Sequence, residues 1–243
     1  MRFTTHFTSR PTQSVWLIFV IALVYRLVVG FHFLMIGGIT CQWTNEIASI
    51  ARSLVLRHAF ADAYRGYNGP TAWAAPGYPF LVAAVFSVFG IDSQASAVIL
   101  LLLNIVVSSL TAVVIYRLGS ECLTEEVGLI AAWVWTLSPL AVLMPLLLLD
   151  TSLSALMLVL GLLVLLRANS AQQWAGAGVL WGASALVNPS ALGALASNTC
   201  FKTLASAVTS EARTRVLPDA DLRTSSLVDS QSPGASCGLS RAQ

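Results

Sequence analysis

Long apolar stretches separated by short polar ones set the plan of this chain. The first runs from Trp16 to Ile36, interrupted only by Arg26 and a few small or aromatic polar groups. At about 1.5 Å per helical residue it is long enough to cross a hydrocarbon core of about 30 Å. Further apolar runs predict spans at about 97–116, 127–149, 152–167 and 174–196, with the first at about 14–36. Pro139 and Pro145 in the third and Asn188-Pro189 in the fifth predict kinks. No repeat of 20–50 residues is visible.

Two shorter elements fall in the long connection after the first span. Residues 46–58 have helical periodicity, with Asn45 placed to cap the start. Ile47, Ile50, Ala51, Leu54 and His58 share one face, and Glu46, Ser49, Ser53 and Arg57 form the adjacent stripe. This is an amphipathic pattern suited to the membrane interface. Pro76-Gly77-Tyr78-Pro79 is a breaker, and the apolar run Phe80 to Ile91 after it is too short to span. A second interfacial or re-entrant helix is expected there. The fold class is therefore all-α: a polytopic transmembrane helical bundle with interfacial helices in the first extracytoplasmic loop.

Composition narrows the class. The chain is 56% hydrophobic and 10% charged, with a mean hydropathy of +0.77. A soluble domain is roughly 25% charged, so a water-soluble globular fold is excluded, as are disorder and a disulfide scaffold. The net charge of +2 points to no nucleic acid or other polyanionic partner; the lipid bilayer is the partner implied. Cys41, Cys122, Cys200 and Cys237 are scattered without metal or redox spacing. Thr40 before Cys41 is wrong for a lipidation site, and no A-x-A cleavage site follows the first apolar run. The first helix is therefore expected to be retained.

Charge also sets orientation. With the N-terminus inside, the inner segments carry Arg2, Arg10, Arg117 and Arg167, and Arg52, Arg57 and Arg65 crowd one long outer loop. The bias favours a cytoplasmic N-terminus. Trp43, Trp73 and Trp174 fall near span ends, as interface anchors do. Under this topology Glu46 and Asp150 emerge on the same, outer side. Glu46 lies in the first turn of its helix, where the dipole favours an ionised carboxylate. Arg26, inside the first span, is costly in lipid and is expected to face protein.

From residue 197 the hydrophobic pattern stops. Residues 197–243 read as a polar tail, disordered or the product of a frame shift, because so short a stretch rarely builds a core unaided.

The first outer loop carries a resemblance. Asn45-Glu46-Ile47-Ala48-Ser49-Ile50-Ala51-Arg52-Ser53-Leu54 precedes Gly69-Pro70-Thr71-Ala72-Trp73-Ala74-Ala75-Pro76-Gly77-Tyr78-Pro79, and Phe80 to Gly90 follows as an apolar helix ending in Phe89-Gly90. This order resembles the N-terminal part of bacterial GT-C fold, protein O-mannosyltransferase-like glycosyltransferases, over roughly residues 14–196. The resemblance implies a bacterial inner-membrane enzyme that moves a sugar from a polyprenyl-phosphate carrier to an acceptor on the extracytoplasmic side. It implies that Glu46 is the catalytic base or a metal or acceptor ligand, and that Asp150 is the second acid shaping the site. The family often has paired acids at the first position; here the neighbour is Asn45. Full-length members have more spans, which makes this chain read as truncated.

That chemistry needs a base for the acceptor's proton, positive charge for the departing phosphate and exclusion of water. Arg57, on the stripe of Glu46, leads Arg52 and Arg65 as phosphate candidates. Tyr67, Trp73 and Tyr78 are candidates for a polyprenyl groove or for interface anchors. A divalent cation is compatible with such a site, but no DxD pair or His cluster argues for a specific ion. Two other classes compete. A transporter would show repeats and several charges at mid-span, where only Arg26 stands. A non-catalytic membrane protein or pseudogene fragment would tolerate missing spans.

Overall fold

The computed structural model describes residues 11–36, 43, 45–64 and 69–194, with side chains from residue 15 onward. Among these residues the main helices are, in order, α1 (Pro11–Met35), α2 (Glu46–Arg57), α3 (Gly77–Phe89), α4 (Gln94–Cys122), α5 (Glu125–Leu137), α6 (Pro139–Leu143), α7 (Thr151–Arg167) and α8 (Ala171–Val187). A 3-10 turn, Met144–Leu146, follows α6. Among the described residues there is no β-strand, and the chain is an all-α membrane bundle.

Two helices, α1 and α4, are long and apolar enough to cross a membrane. The pair α5 and α6 with its 3-10 turn meets the same test as one span, bent by 57°. The bend has a local cause. Pro139 supplies no N–H and disfavours helix at Ser138, whose backbone is extended at ψ 124°. The helices α3 and α7 are apolar but shorter.

Helix boundaries follow their caps. Asn45 caps α2 by accepting from the Ala48 N–H at 2.8 Å, and His58 closes it in the left-handed region at φ 54°. Ser93, Thr124 and Ser170 cap α4, α5 and α8 in the same way. The Pro-Gly-Tyr-Pro segment is the first turn of α3 rather than a break before it: proline costs nothing where the N–H has no helical partner. The helix α4 continues past Tyr116-Arg117 to Cys122, through Gly119, which packs against Gly128. At Asn188-Pro189 the last predicted span is interrupted: α8 ends at Val187, and helix resumes only at 190–194.

Packing centres on α4, against which α1, α5 and α7 all lie. The outward faces remain apolar and open. Val20, Val24, Val28 and Phe31 on α1, and Leu102, Val106 and Leu110 on α4, are exposed at helical spacing, as lipid-facing residues should be. A second apolar cluster joins α2 to α3: Ile47, Ala48 and Ala51 pack on Tyr78, Val82 and Phe86, with Leu100 and Leu148 completing it.

The helices place residues at two ends. Arg167, last in α7, pairs with Glu121 near the end of α4. Asn188, just past α8, bonds Asp150 at the start of α7. Tyr78 at the start of α3 bonds Asn104, which lies roughly 15 Å along α4 from Gln94. The bundle therefore has a Glu121 end and an Asp150 end.

Candidate active site at the Asp150 end

The sequence places Glu46 and Asp150 on one side of the membrane; in the structure their segments touch. Between the 3-10 turn and α7, residues 147–149 leave the helical path: the Leu147 carbonyl accepts from the Leu149 N–H at 2.9 Å, and side chains from other elements supply further donors. Asn45 donates from Nδ2 to the Leu148 carbonyl at 2.9 Å, while its Oδ1 caps α2. Asn104 donates to the Leu147 carbonyl at 3.4 Å and exchanges bonds with the Tyr78 hydroxyl at 3.0 and 3.3 Å. One asparagine thus starts the helix that bears Glu46 and anchors the segment that leads to Asp150. An ionised acid in place of Asn45 has no N–H to give Leu148. The paired acids of the resemblance are replaced here by an amide that binds two segments.

Glu46 is half-buried in the first turn of α2, and no hydrogen-bond partner holds its carboxylate among the described residues. Partial desolvation and then the negative charge of Glu46 push the Tyr64 phenol upward. Tyr64 stands edge-on to Trp73, ring centroids 5.4 Å apart, and both are exposed. Trp73 is therefore part of an aromatic pair near Glu46.

Asp150 is the N-cap residue of α7 by position but does not cap it. Its Oδ2 accepts from Asn188 Nδ2 at 2.9 Å and from Ser154 Oγ at 3.1 Å. The Asn188 amide cannot turn over freely, because its Oδ1 accepts from the Ser190 N–H at 3.0 Å and the Ser190 hydroxyl at 2.7 Å. The break at Asn188-Pro189 thus aims an N–H at Asp150. Tyr78 is wholly buried, not lining an open lipid groove; burial pushes its phenol up to about 12, against the Asn104 bond and with a contribution from Asp150. A cavity of about 20 Å³, room for one water, lies beside Asn104 and is bounded by Trp43 and Leu147.

The loop arginines are already engaged. Arg52 holds Asp92 Oδ2 at 3.0 Å through Nε and 2.5 Å through its terminal nitrogen. Arg57 holds Asp62 at 2.9 Å. Both aspartates have positive φ, 54° for Asp92 and 61° for Asp62, a conformation that aspartate tolerates better than most side chains. Arg65, Tyr67 and Cys41 lie outside the described residues, as does the tail from 195. Among the described residues no three His, Cys, Asp or Glu side chains converge to hold a divalent cation.

Gly77 shows why this end closes so tightly. A Cβ there would sit 2.8 Å from the Leu186 carbonyl oxygen, so only glycine lets α3 meet the end of α8. Three polar groups of the bundle carried a sequence signal: Asn104 is an amide inside an apolar run, Arg26, wholly buried against Ser108 Oγ and the Trp135 carbonyl, a charge inside another, and Asn188 a break in a third. Their partners carried none.

Apolar helices around α4, with carboxylates and amides gathered at one end, define an integral membrane protein with a polar site at the bundle's rim. The family model of dolichyl-phosphate-mannose-protein mannosyltransferases matches residues 73–208, and the chain belongs to that family of GT-C-type membrane glycosyltransferases. No curated protein and no solved structure gives a match.

Proposed function

We propose that the chain transfers a sugar from a polyprenyl-phosphate-linked donor to an acceptor hydroxyl on the extracytoplasmic side. The observation that carries this is the Asn45–Leu148 bond, which joins the Glu46 helix to the segment that leads into Asp150. Glu46, a half-buried carboxylate with no hydrogen-bond partner among the described residues, is free to take the acceptor's proton. The acceptor oxygen forms its bond to the sugar's anomeric carbon as the bond from that carbon to phosphate oxygen breaks. The electron pair leaves on the carrier phosphate, and the proton remains on Glu46. Asp150, fixed by Asn188 and Ser154, orients sugar hydroxyls beside the reacting carbon. Arg52 and Arg57 bind phosphate only by exchanging Asp92 and Asp62 for it, and Arg65 belongs to the same loop. Any divalent cation would be recruited by Glu46 together with substrate oxygens.

The test is transfer from polyprenyl-phosphate hexoses in proteoliposomes holding the full chain. Glu46→Gln is expected to lower turnover by roughly 10²-fold or more while leaving the protein folded; undiminished turnover in that variant removes Glu46 from the reaction. Orientation has its own test. Cys122 is exposed at the Glu121 end, so an impermeant thiol reagent is expected to label it only from the cytoplasmic side. Labelling from outside reverses the topology.

A further inference from the structure

Two prolines interrupt the span that leads to Asp150, and each leaves a carbonyl without its helical donor. In an unbroken helix the Trp135 carbonyl accepts from the N–H of residue 139, and the Ala141 carbonyl from that of residue 145. Both positions are proline, which has no N–H. Inside a bilayer no water supplies the missing donors, so protein must. Arg26 and Ser108 do so. A terminal nitrogen of Arg26 donates to the Trp135 carbonyl at 3.4 Å, and the Ser108 hydroxyl donates to the Ala141 carbonyl at 3.0 Å. The two donors are themselves joined, because Arg26 Nε donates to Ser108 Oγ at 3.0 Å. Trp135 closes the ring: its Nε1 donates to the Ser108 carbonyl at 3.1 Å.

Packing alone does not set the angle of this elbow. A cavity of about 320 Å³ lies against it, lined by Trp135, Ser138, Ala141 and Pro145 among others, and Leu137 and Leu140 beside it are exposed. The polar groups, by contrast, are wholly buried: both Arg26 and Ser108 are shut off from solvent. No carboxylate reaches Arg26 among the described residues, where the ion pairs engage Arg52, Arg57 and Arg167. Charge in a membrane helix is costly, and here its use is donation. The planar guanidinium reaches Ser108, Trp135 and, at 3.3 Å, the Ala22 carbonyl of its own helix at once. Asn104 stands one turn before Ser108 on the same face of α4 and donates to the Leu147 carbonyl. Between these two contacts Leu146 packs on Leu101 and Ile105. One face of α4 thus receives the broken segment from Trp135 to Leu147, and Asp150 follows directly after it.

We propose that Arg26 and Ser108 are positioning residues for Asp150. They stand in for the two N–H groups that Pro139 and Pro145 remove, hold the span at its 57° bend and so deliver the irregular segment and the Asp150 carboxylate to the bundle's rim. A continuous helix would satisfy the same carbonyls but would carry the chain straight on. The role in catalysis rests on the transfer reaction above, in which Asp150 orients the sugar; the clamp on the elbow does not depend on it.

The test is a double-mutant cycle on the full chain in lipid, read by melting temperature, by sugar transfer and by a distance. The distance runs between spin labels on the exposed Cys122 and on Leu147→Cys, with Cys41, Cys200 and Cys237 replaced by serine. Arg26→Met keeps the bulk of the side chain and removes its donors. It is expected to lower the melting temperature, to shift and broaden the distance, and to slow transfer at least ~10-fold with donor KM little changed. In a Pro139→Ala background residue 139 regains its N–H. There the same substitution should cost little melting temperature, while the distance still shifts and transfer still falls. Recovery of transfer together with stability makes Arg26 a structural residue only and overturns the positioning role. An equal loss of melting temperature in both backgrounds overturns the clamp on the Trp135 carbonyl, as does a wild-type distance in Arg26→Met. If Arg26→Met does not fold, Ser108→Ala with and without Pro145→Ala is the milder cycle, read in the same way. The expected shifts in distance and stability, in a chain that transfers no sugar from any polyprenyl-phosphate hexose, overturn the reaction and leave the clamp standing.

Discussion

The two ends of the bundle are held by different means. At the Glu121 end the helices meet backbone to backbone. A Cβ on Gly119 would lie 2.7 Å from the Gly128 Cα, and one on Gly128 would lie 2.5 Å from the Tyr116 carbonyl oxygen. Thr124 caps α5 within a two-residue turn, Tyr116 reaches Glu125 at 2.9 Å, and Arg167 straps α7 to Glu121. At the Asp150 end, helices stop short and asparagine amides span the distance. Asn45, Asn104 and Asn188 each join a different pair of segments there. Small residues let one end close; amides let the other carry polar groups without leaving backbone unsatisfied. Irregular backbone at membrane depth is tolerated only where protein or a water-filled cavity satisfies it, which is what the amides do here.

Substitutions separate these solutions, and the largest expected effect is on chemistry. Glu46→Gln should lower transfer by roughly 10²-fold or more, the usual contribution of a general base, with the melting temperature unchanged. A matching fall in melting temperature would make Glu46 a structural residue instead. Next comes Gly128→Leu, which forces α4 and α5 apart. Overpacking of this kind costs about 1–3 kcal/mol, read as earlier unfolding on heating, while turnover per folded molecule stays near wild type. Loss of turnover without loss of stability would show that the two ends are coupled.

Asn188→Ala takes one N–H from the Asp150 carboxylate, and a bond to a charged group is worth about 1.5–3 kcal/mol. Turnover should fall about tenfold with donor KM little changed. In an Asp150→Asn background the same substitution should add almost nothing. Equal losses in both backgrounds would make Asn188 a helix-end residue and no more. The smallest effect belongs to Arg167→Gln. Its pair with Glu121 is largely exposed, so stability should change by less than about 1 kcal/mol, and the change should shrink with salt.

Much of this was legible in the sequence, for identifiable reasons. Asn45 and the 3.6-residue period fix α2, because capping and amphipathicity are local. The shared side of Glu46 and Asp150 follows from counting crossings. The burial of Arg26 follows from the cost of charge in lipid. What the sequence withheld is depth and rotation. That Tyr78 meets Asn104 depends on how far α3 runs back along α4 from the turn at Gly90 to Asp92. That Asn188 meets Asp150 depends on where α7 begins after an irregular stretch. Arg52 and Arg57 looked free because their partners, Asp92 and Asp62, sit in left-handed turns whose geometry no spacing rule supplies. The Pro-Gly-Tyr-Pro segment looked like a break because its prolines stand where a helix begins as readily as where one ends.

The reliance on asparagine at the Asp150 end has a chemical cost. Asn45 and Asn104 offer their N–H groups to the carbonyls of Leu148 and Leu147, which have no helical partner in the chain's irregular stretch. Deamidation turns such a donor into a carboxylate facing a carbonyl, so attraction becomes repulsion without any change in size. A single spontaneous event at Asn45 would strip the cross-link from the Glu46 helix while leaving the Glu121 end intact. The bundle would still span the membrane, with the Glu46 helix no longer tied to the segment that leads to Asp150.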